Sequence, residues 1–288
     1  MKVTFIGLGI MGQRMARNLL PHVDLTVWNR SPEPARILGE AGAQVADSPV
    51  DAVSGADVVF SMLASPEVVE TLAFGEGGFL KAMAENSLWV DCSTVNPSFS
   101  RQSAAEAGTA GVHFMDGPVA GTRQPAEDGT LSFLIGGNQK DLDRVKPLLE
   151  HMGSKILHVG GHGQGTAFKM LVNAMLAQSM VVFSETALLG EKLGFDREML
   201  MDTLPGLPVS APFLRGKAEL IRNGEFEAQF PLELMYKDLQ LLDQTAYEKG
   251  HPLYLANAAK ALFGSASAAG KGREDFAAIH SYLDPGQR

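Results

Sequence analysis

The chain has 288 residues, 45% of them hydrophobic and 20% charged, with a formal net charge of −9. That length suits two domains or one large one, and the apolar content supplies a core. The acidic balance excludes a general nucleic-acid binder with a basic stripe and a polybasic membrane anchor, while leaving room for a local cationic pocket that takes a small acid.

In chain order, Val3-Thr4-Phe5-Ile6 reads as a strand, followed at once by Gly7-Leu8-Gly9-Ile10-Met11-Gly12 and an amphipathic helix over about 11–20. A second apolar run, Leu25-Thr26-Val27-Trp28, ends in Asn29-Arg30-Ser31. This is G-x-G-x-x-G in its meaningful context of strand, tight turn, helix and strand. Gly7 permits the turn, Gly9 lets the backbone approach a pyrophosphate, and Gly12 lets helix and strand pack closely. The free N–H groups and positive dipole end of the helix complete a dinucleotide site.

Cofactor choice is made at the end of the second strand. An NAD site places Asp or Glu there, about 20 residues past the glycines, to bind the ribose 2′-hydroxyl. Here stand Asn29, Arg30 and Ser31, with no carboxylate before Glu33, which follows Pro32 and begins the next helix. The Arg30 guanidinium matches a phosphate and Ser31 adds a hydroxyl, so the pattern favours NADP(H) over NAD(H).

Strands are expected at 3–8, 23–28, 43–46, 57–62, 87–91 and 112–116, with helices between them, including 32–40, 65–73 and 97–107. Such alternation implies a parallel sheet covered on both faces, extended by strands at 131–135 and 155–158. Cys92 is the sole cysteine, so no intrachain disulfide forms; at an expected strand end it reads as a small semi-buried residue. No histidine or cysteine cluster has metal-site spacing; His158 and His162 flank Gly160-Gly161 and read as loop residues. The run after Lys2 contains the nucleotide turn and lacks a cleavage site, and no 18-residue uncharged apolar stretch occurs, so a cytosolic protein without a spanning helix is expected.

Beyond Gly160-Gly161-His162-Gly163 strand signals thin out, and helices are expected at about 165–193, 196–203, 212–222, 232–249, 252–269 and 274–281. The expected organisation is a doubly wound α/β domain of Rossmann type over 1–162 and an all-α domain over 163–288, joined by a long helix. Its segment from Thr166 to Leu189 is apolar nearly all round, interrupted only by the charged Lys169 and Glu185. Lys169 and Asn173, four apart, share a face. Lys169 has two readings: an amine that snorkels to solvent, or an ammonium readied by partial burial to donate a proton near neutral pH. Asn173 could donate to a substrate oxygen. The loop from Asp116 to Thr122 can present backbone N–H groups to a carboxylate or be a structural turn. Lys237-Asp238, after Phe230-Pro231, could be a solvated pair on a helix face.

Taken together, these segments resemble the β-hydroxyacid dehydrogenases over essentially the whole chain. Four motifs carry the resemblance, in order. They are Phe5 through Gly12, continuing to Met15-Ala16 and Asn18-Leu19; Asp116 through Thr122, continuing as Pro125-Ala126-Glu127-Asp128-Gly129-Thr130-Leu131; Gly163-Gln164-Gly165 with Lys169 and Asn173; and Lys237-Asp238. The resemblance implies that Lys169 is the catalytic acid/base and that Asn173, Asp238 and the Ala120-Gly121-Thr122 loop bind substrate. It further implies that Leu63, Ala64, Thr94 and Lys237 join the Gly7–Gly12 turn and Asn29-Arg30-Ser31 at the cofactor.

The Asn29-Arg30-Ser31 and Pro125-Ala126-Glu127-Asp128-Gly129 combination looks most like the NADPH-dependent glyoxylate/succinic semialdehyde reductase branch, which implies a small carboxylate-bearing aldehyde or keto acid as substrate and, as is common in the family, a dimer or tetramer. The family commonly has serine at 120 and glycine or serine at 122, where this chain has Ala120 and Thr122, which bears on substrate identity. Imine reductases share the architecture but typically lack the lysine, and a catalytically inactive NADP-binding regulator is the reading from another class.

Overall fold

The computed structural model describes residues 1–284 and 286. The chain divides into two compact units, Met1–Met170 and Leu171–Arg288. In the first unit the elements run β1 (Lys2–Ile6), α1 (Gly12–Leu19), β2 (Asp24–Trp28), α2 (Pro32–Glu40), β3 (Gln44–Val45), α3 (Pro49–Val53), β4 (Val58–Ser61) and α4 (Pro66–Phe74). Then follow β5 (Leu88–Asp91), α5 (Pro97–Thr109), β6 (His113–Asp116), β7 (Val119–Ala120), α6 (Arg123–Glu127), β8 (Leu131–Gly136), α7 (Gln139–Met152) and β9 (Gly153–Gly160).

Four of these helices start on one local rule. Pro32, Pro49, Pro66 and Pro97 stand at their first turns, where the missing N–H costs nothing and the fixed φ suits a helix. Each follows Ser or Asn, and the hydroxyls of Ser48 and Ser65 accept the N–H of Asp51 and Val68.

The nine-stranded sheet has the order β3-β2-β1-β4-β5-β6-β8-β7, with β9 paired to β8. Alternation along the strands sorts side chains onto two faces. Val3, Phe5, Phe60 and Val90 pack against Met15, Leu19, Leu38 and Val145 on one face. On the other, Ile6, Val59 and Trp89 pack against Val53, Val69 and Ala107. The pairs from β3 through β6 are parallel, as expected, but β8 runs antiparallel to β6 and β7 before β9 returns parallel to it. A parallel return usually takes a helical crossover; here part of the stretch between β6 and β8 is spent on two-residue β7, itself antiparallel to β8, and the helix α6 has only five residues. His158, the last residue of the strand expected over 155–158, lies in β9 with its Nε2 2.8 Å from the Gly137 carbonyl oxygen.

The long helix α8 (Gln164–Lys192) is followed by α9 (Arg197–Thr203), α10 (Leu214–Asn223), α11 (Leu232–Glu248), α12 (Tyr254–Ala266) and α13 (Ile279–Leu283). The compact division falls inside α8, at Met170/Leu171. The physical reason is that α8 starts on the first unit: the buried Asp116 carboxylate accepts the N–H of Gly163 at 2.7 Å and of Thr166 at 2.9 Å. By length and hydropathy alone α8 could cross a bilayer, because up to Leu189 only Lys169 and Glu185 are charged. The core helix of a folded unit passes the same test, and α8 buries Ala177, Met180, Phe183 and Ala187.

In the second unit a buried ion pair ties the approach to α11. Lys217 Nζ lies 2.8 and 3.0 Å from the two oxygens of Asp275, which also accept the N–H groups of Gln229, Phe230 and Ala277. With its remaining lone pairs satisfied, this is the arrangement in which a buried pair is tolerated.

Candidate active site

The nucleotide turn is built as its spacing demands. Gly7 has φ +92°, and a Cβ there would lie 2.4 Å from the Met62 carbonyl oxygen. A Cβ on Gly12 would lie 2.0 Å from the Gly7 carbonyl oxygen, so helix α1 can approach β1 only with glycine. Gly9, by contrast, is exposed with nothing within 4 Å of a Cβ position. That open cradle at the start of α1 is where a diphosphate fits, so the turn suits a dinucleotide cofactor. Ile10 and Met11 are partly exposed beside it, and their carbonyls hold Arg14 and Met15 in α1.

Asn29 braces the turn: its Oδ1 accepts the Leu8 N–H at 2.8 Å and its Nδ2 donates to the Ser31 carbonyl at 2.9 Å. Arg30 and Ser31 are exposed, and Ser31 makes no side-chain cap to α2. Arg30 lines a surface groove with Trp28, Pro32, Arg36 and Asp47. Glu33, the first carboxylate after the strand, is engaged by Arg36 at 2.8 and 3.0 Å, which holds its pKa below the usual range.

The carboxyl ends of β4 and β5 border this turn through a buried network that sequence reading missed. Asp91 Oδ1 accepts Ser61 Oγ at 2.8 Å and Ser93 N–H at 3.1 Å, and Trp89 Nε1 donates to Ser61 Oγ at 2.8 Å. Ser93 Oγ in turn accepts the Leu63 N–H at 2.8 Å, fixing the 62–64 loop. Leu63 and Thr94 are partly exposed and Ala64 is exposed. Burial pushes Asp91 up to about 6, against the pull of its hydrogen bonds from Ser93 and Ser61. Cys92 beside it is fully buried, and its thiol is pushed well up by burial and by Asp91, as an inert core residue is.

After β6, Ala120 ends β7, partly exposed, and Gly121 follows, exposed with φ +129°. Thr122 stands at the start of α6 without a capping bond from its side chain. The motif tails meet here: Asn18 Nδ2 at the end of α1 donates to the Ala126 carbonyl at 2.9 Å.

On α8, Lys169 and Asn173 are 7% and 2% exposed, so the snorkelling alternative fails for Lys169. Asn173 Nδ2 donates to Asp238 Oδ2 at 2.5 Å, and its buried Oδ1 has no hydrogen-bond partner among the described residues. Lys237 Nζ lies 2.9 Å from Asp238 Oδ1, and Asp238 is 3% exposed, so this is a buried ionic cluster rather than a solvated pair. Among the described residues no group of three or more His, Cys, Asp or Glu could hold a metal.

Residues 2–160 match the family model for the NAD binding domain of 6-phosphogluconate dehydrogenase, and 163–283 match that for the NAD-binding region of NADP-dependent 3-hydroxyisobutyrate dehydrogenase. The chain is 33% identical to glyoxylate/succinic semialdehyde reductase 2 of Arabidopsis thaliana, over 96% of this chain and 78% of that protein. It superposes on 3-hydroxyisobutyrate dehydrogenase from Mycobacterium tuberculosis, solved with L-serine, with TM-score 0.88 and 31% identity over 98% of each chain. It also superposes on Psf3, solved in complex with NADP+ and 2-OPP, with TM-score 0.89 and 26% identity over 98% of this chain and 99% of that one. With the glycine cradle and these matches in hand, the chain belongs to the 3-hydroxyisobutyrate dehydrogenase-like family of nicotinamide-dependent oxidoreductases.

Proposed function

We propose that this protein is an NADP(H)-dependent reductase of a short carboxylate-bearing aldehyde or keto acid, such as glyoxylate, succinic semialdehyde or a related semialdehyde. When bound, the cofactor supplies the hydride that reaches the carbonyl carbon. Lys169 supplies the proton to the carbonyl oxygen as it becomes a hydroxyl. Asn173, held by Asp238, orients that oxygen, and the backbone at Ala120, Gly121 and Thr122 takes the carboxylate. Lys237 and the 63–64 and 94 positions serve the cofactor.

The observation that carries this reading is a lysine only 7% exposed, one helical turn from a buried asparagine whose amide is fixed by a carboxylate. A lysine at that place on α8 can hand a proton to a carbonyl oxygen as it is reduced. The preference for NADP(H) rests on exposed Arg30 and on the absence of a free carboxylate at the end of β2, where Glu33 is spent on Arg36.

Self-association as a dimer or tetramer belongs to the same reading. Leu171, Met175, Val182 and Leu189 form an exposed apolar stripe on α8, each at least 59% exposed, and light scattering on the purified protein reads its mass directly.

Initial rates of NADPH oxidation against glyoxylate, succinic semialdehyde, tartronate semialdehyde and methylmalonate semialdehyde, each repeated with NADH, test the proposal. Turnover of one or more with NADPH favoured is the expected result. Turnover of a cyclic imine alone would replace carbonyl reduction with imine chemistry.

A further inference from the structure

The third sequence motif, Gly163-Gln164-Gly165, is not used by the chemistry proposed above, and its partner is far away in sequence. Asp116, at the carboxyl end of β6, is fully buried. Its Oδ1 accepts the Gly163 N–H at 2.7 Å, and its Oδ2 accepts the Thr166 N–H at 2.9 Å and lies 3.4 Å from the Thr166 hydroxyl. The first N–H groups of a helix have no intrahelical partner, so one carboxylate satisfies two donors at the head of α8. No local capping box supplies this contact: 47 and 50 residues separate the partners.

The surroundings hold the contact to one geometry. A Cβ on Gly165 would lie 2.3 Å from the Leu134 carbonyl oxygen and 2.8 Å from the Asp116 carbonyl oxygen. A Cβ on Gly136, the register partner of Asp116, would lie 2.5 Å from Asp116 Oδ1. Gly163 has φ +85°, which turns the chain into the helix. Both glycines of the motif are therefore explained by the approach of α8 to this carboxylate. On the helix, residues three and four apart lie on one face, so Lys169 stands directly above Thr166 and Gly165. Asp116 also begins the Gly117-Pro118 departure toward Ala120, Gly121 and Thr122.

We propose that Asp116 is a positioning residue for the reaction: its carboxylate fixes the first turn of α8, and with it the place of Lys169, to the strand end from which the substrate loop leaves. The inference rests on Lys169 being the proton donor. The ionisable groups that act on Asp116 or are acted on by it are His162, whose charge would favour the carboxylate, and Asp91 on the neighbouring strand.

The test compares Asp116→Asn, Asp116→Glu and Lys169→Ala with the wild type in the NADPH-dependent reductase assay. Asn keeps the shape but sets an N–H₂ against one of the two donors; Glu keeps the charge but moves it by a methylene. Both are expected to lower kcat by about 10- to 100-fold, the scale of a misplaced catalytic group, and to shift the pH dependence of kcat. NADPH affinity, measured by fluorescence titration, is expected to stay within about threefold, because the glycine cradle is untouched. A kcat within twofold of wild type in folded Asp116→Asn, with Lys169→Ala inactive, overturns the positioning role alone. An active Lys169→Ala overturns the donor assignment and this inference with it. Should Asp116→Asn not fold, Gly165→Ala displaces the same turn from the helix side: the same selective loss of kcat supports the proposal, and wild-type kcat overturns it.

Discussion

Asp91 offers a prediction whose size follows from the structure. Its carboxyl is pushed from 3.8 up to about 6 by burial. A group whose folded pKa is raised contributes stability that is fully present below its unfolded pKa and lost as pH rises through its folded pKa. The window is therefore about pH 4 to 6, and a difference of about 2 units corresponds to about 3 kcal/mol. Asp91→Asn should remove the cost. Asp91 Oδ1 accepts from the Ser61 hydroxyl and the Ser93 N–H, and the Asn carbonyl oxygen can accept the same two.

The assay is urea unfolding followed by tryptophan fluorescence at pH 4, 5, 6, 7 and 8. Trp89 is a good reporter because its indole N–H donates into the same network. The variant should match the wild type near pH 4 and exceed it by up to about 3 kcal/mol above pH 6.5. A stability difference that stays flat with pH, or a variant that grows weaker as pH rises, would refute the reasoning. NADPH affinity should change by no more than a few-fold, since the Ser93 bond to Leu63 is retained.

Arg30→Ala should lower kcat/KM for NADPH by about 10- to 100-fold while leaving that for NADH within a few-fold, because a charged hydrogen-bond donor to phosphate is worth about 1.5–3 kcal/mol. Equal losses with both cofactors would show that Arg30 does not read the 2′-phosphate. His280 in the second unit acts in the opposite sense to Asp91. It is 2% exposed, neither ring nitrogen has a partner among the described residues, and burial, with Arg197 nearby, lowers its pKa from 6.5 to about 4. Its stabilising contribution is complete above pH 6.5 and is lost as pH falls toward 4. His280→Leu should accordingly reduce the wild-type stability loss between pH 7 and 4.5 by about 2–3 kcal/mol in urea titrations, and an unchanged loss would exclude the assignment.

The parts of the site that depend on local spacing were legible in the sequence. Gly7 and Gly9 fall between β1 and α1, Gly12 begins α1, Asn29-Arg30-Ser31 follows β2, and Lys169 and Asn173 share a face of α8, because a tight turn and a 3.6-residue period act over neighbouring residues. What was hidden depends on pairing between distant strands. Asp91 and Asp116 become register partners only when β5 and β6 pair, and Asp116 reaches α8 across about fifty residues. The antiparallel β8 was missed for a related reason: its apolar run reads as a strand of either direction, and only the shortness of α6 decides. The burial of Asp238 was likewise invisible, since Lys237-Asp238 on a helix looks solvated until Asn173 is brought to it.

The most direct test of the account is single-turnover and steady-state kinetics of Lys169→Ala with NADPH and the best substrate of the aldehyde panel, alongside NADPH binding. The account predicts a fall in turnover on the order of 100- to 10,000-fold with NADPH affinity nearly unchanged. Turnover within a few-fold of the wild type would contradict it.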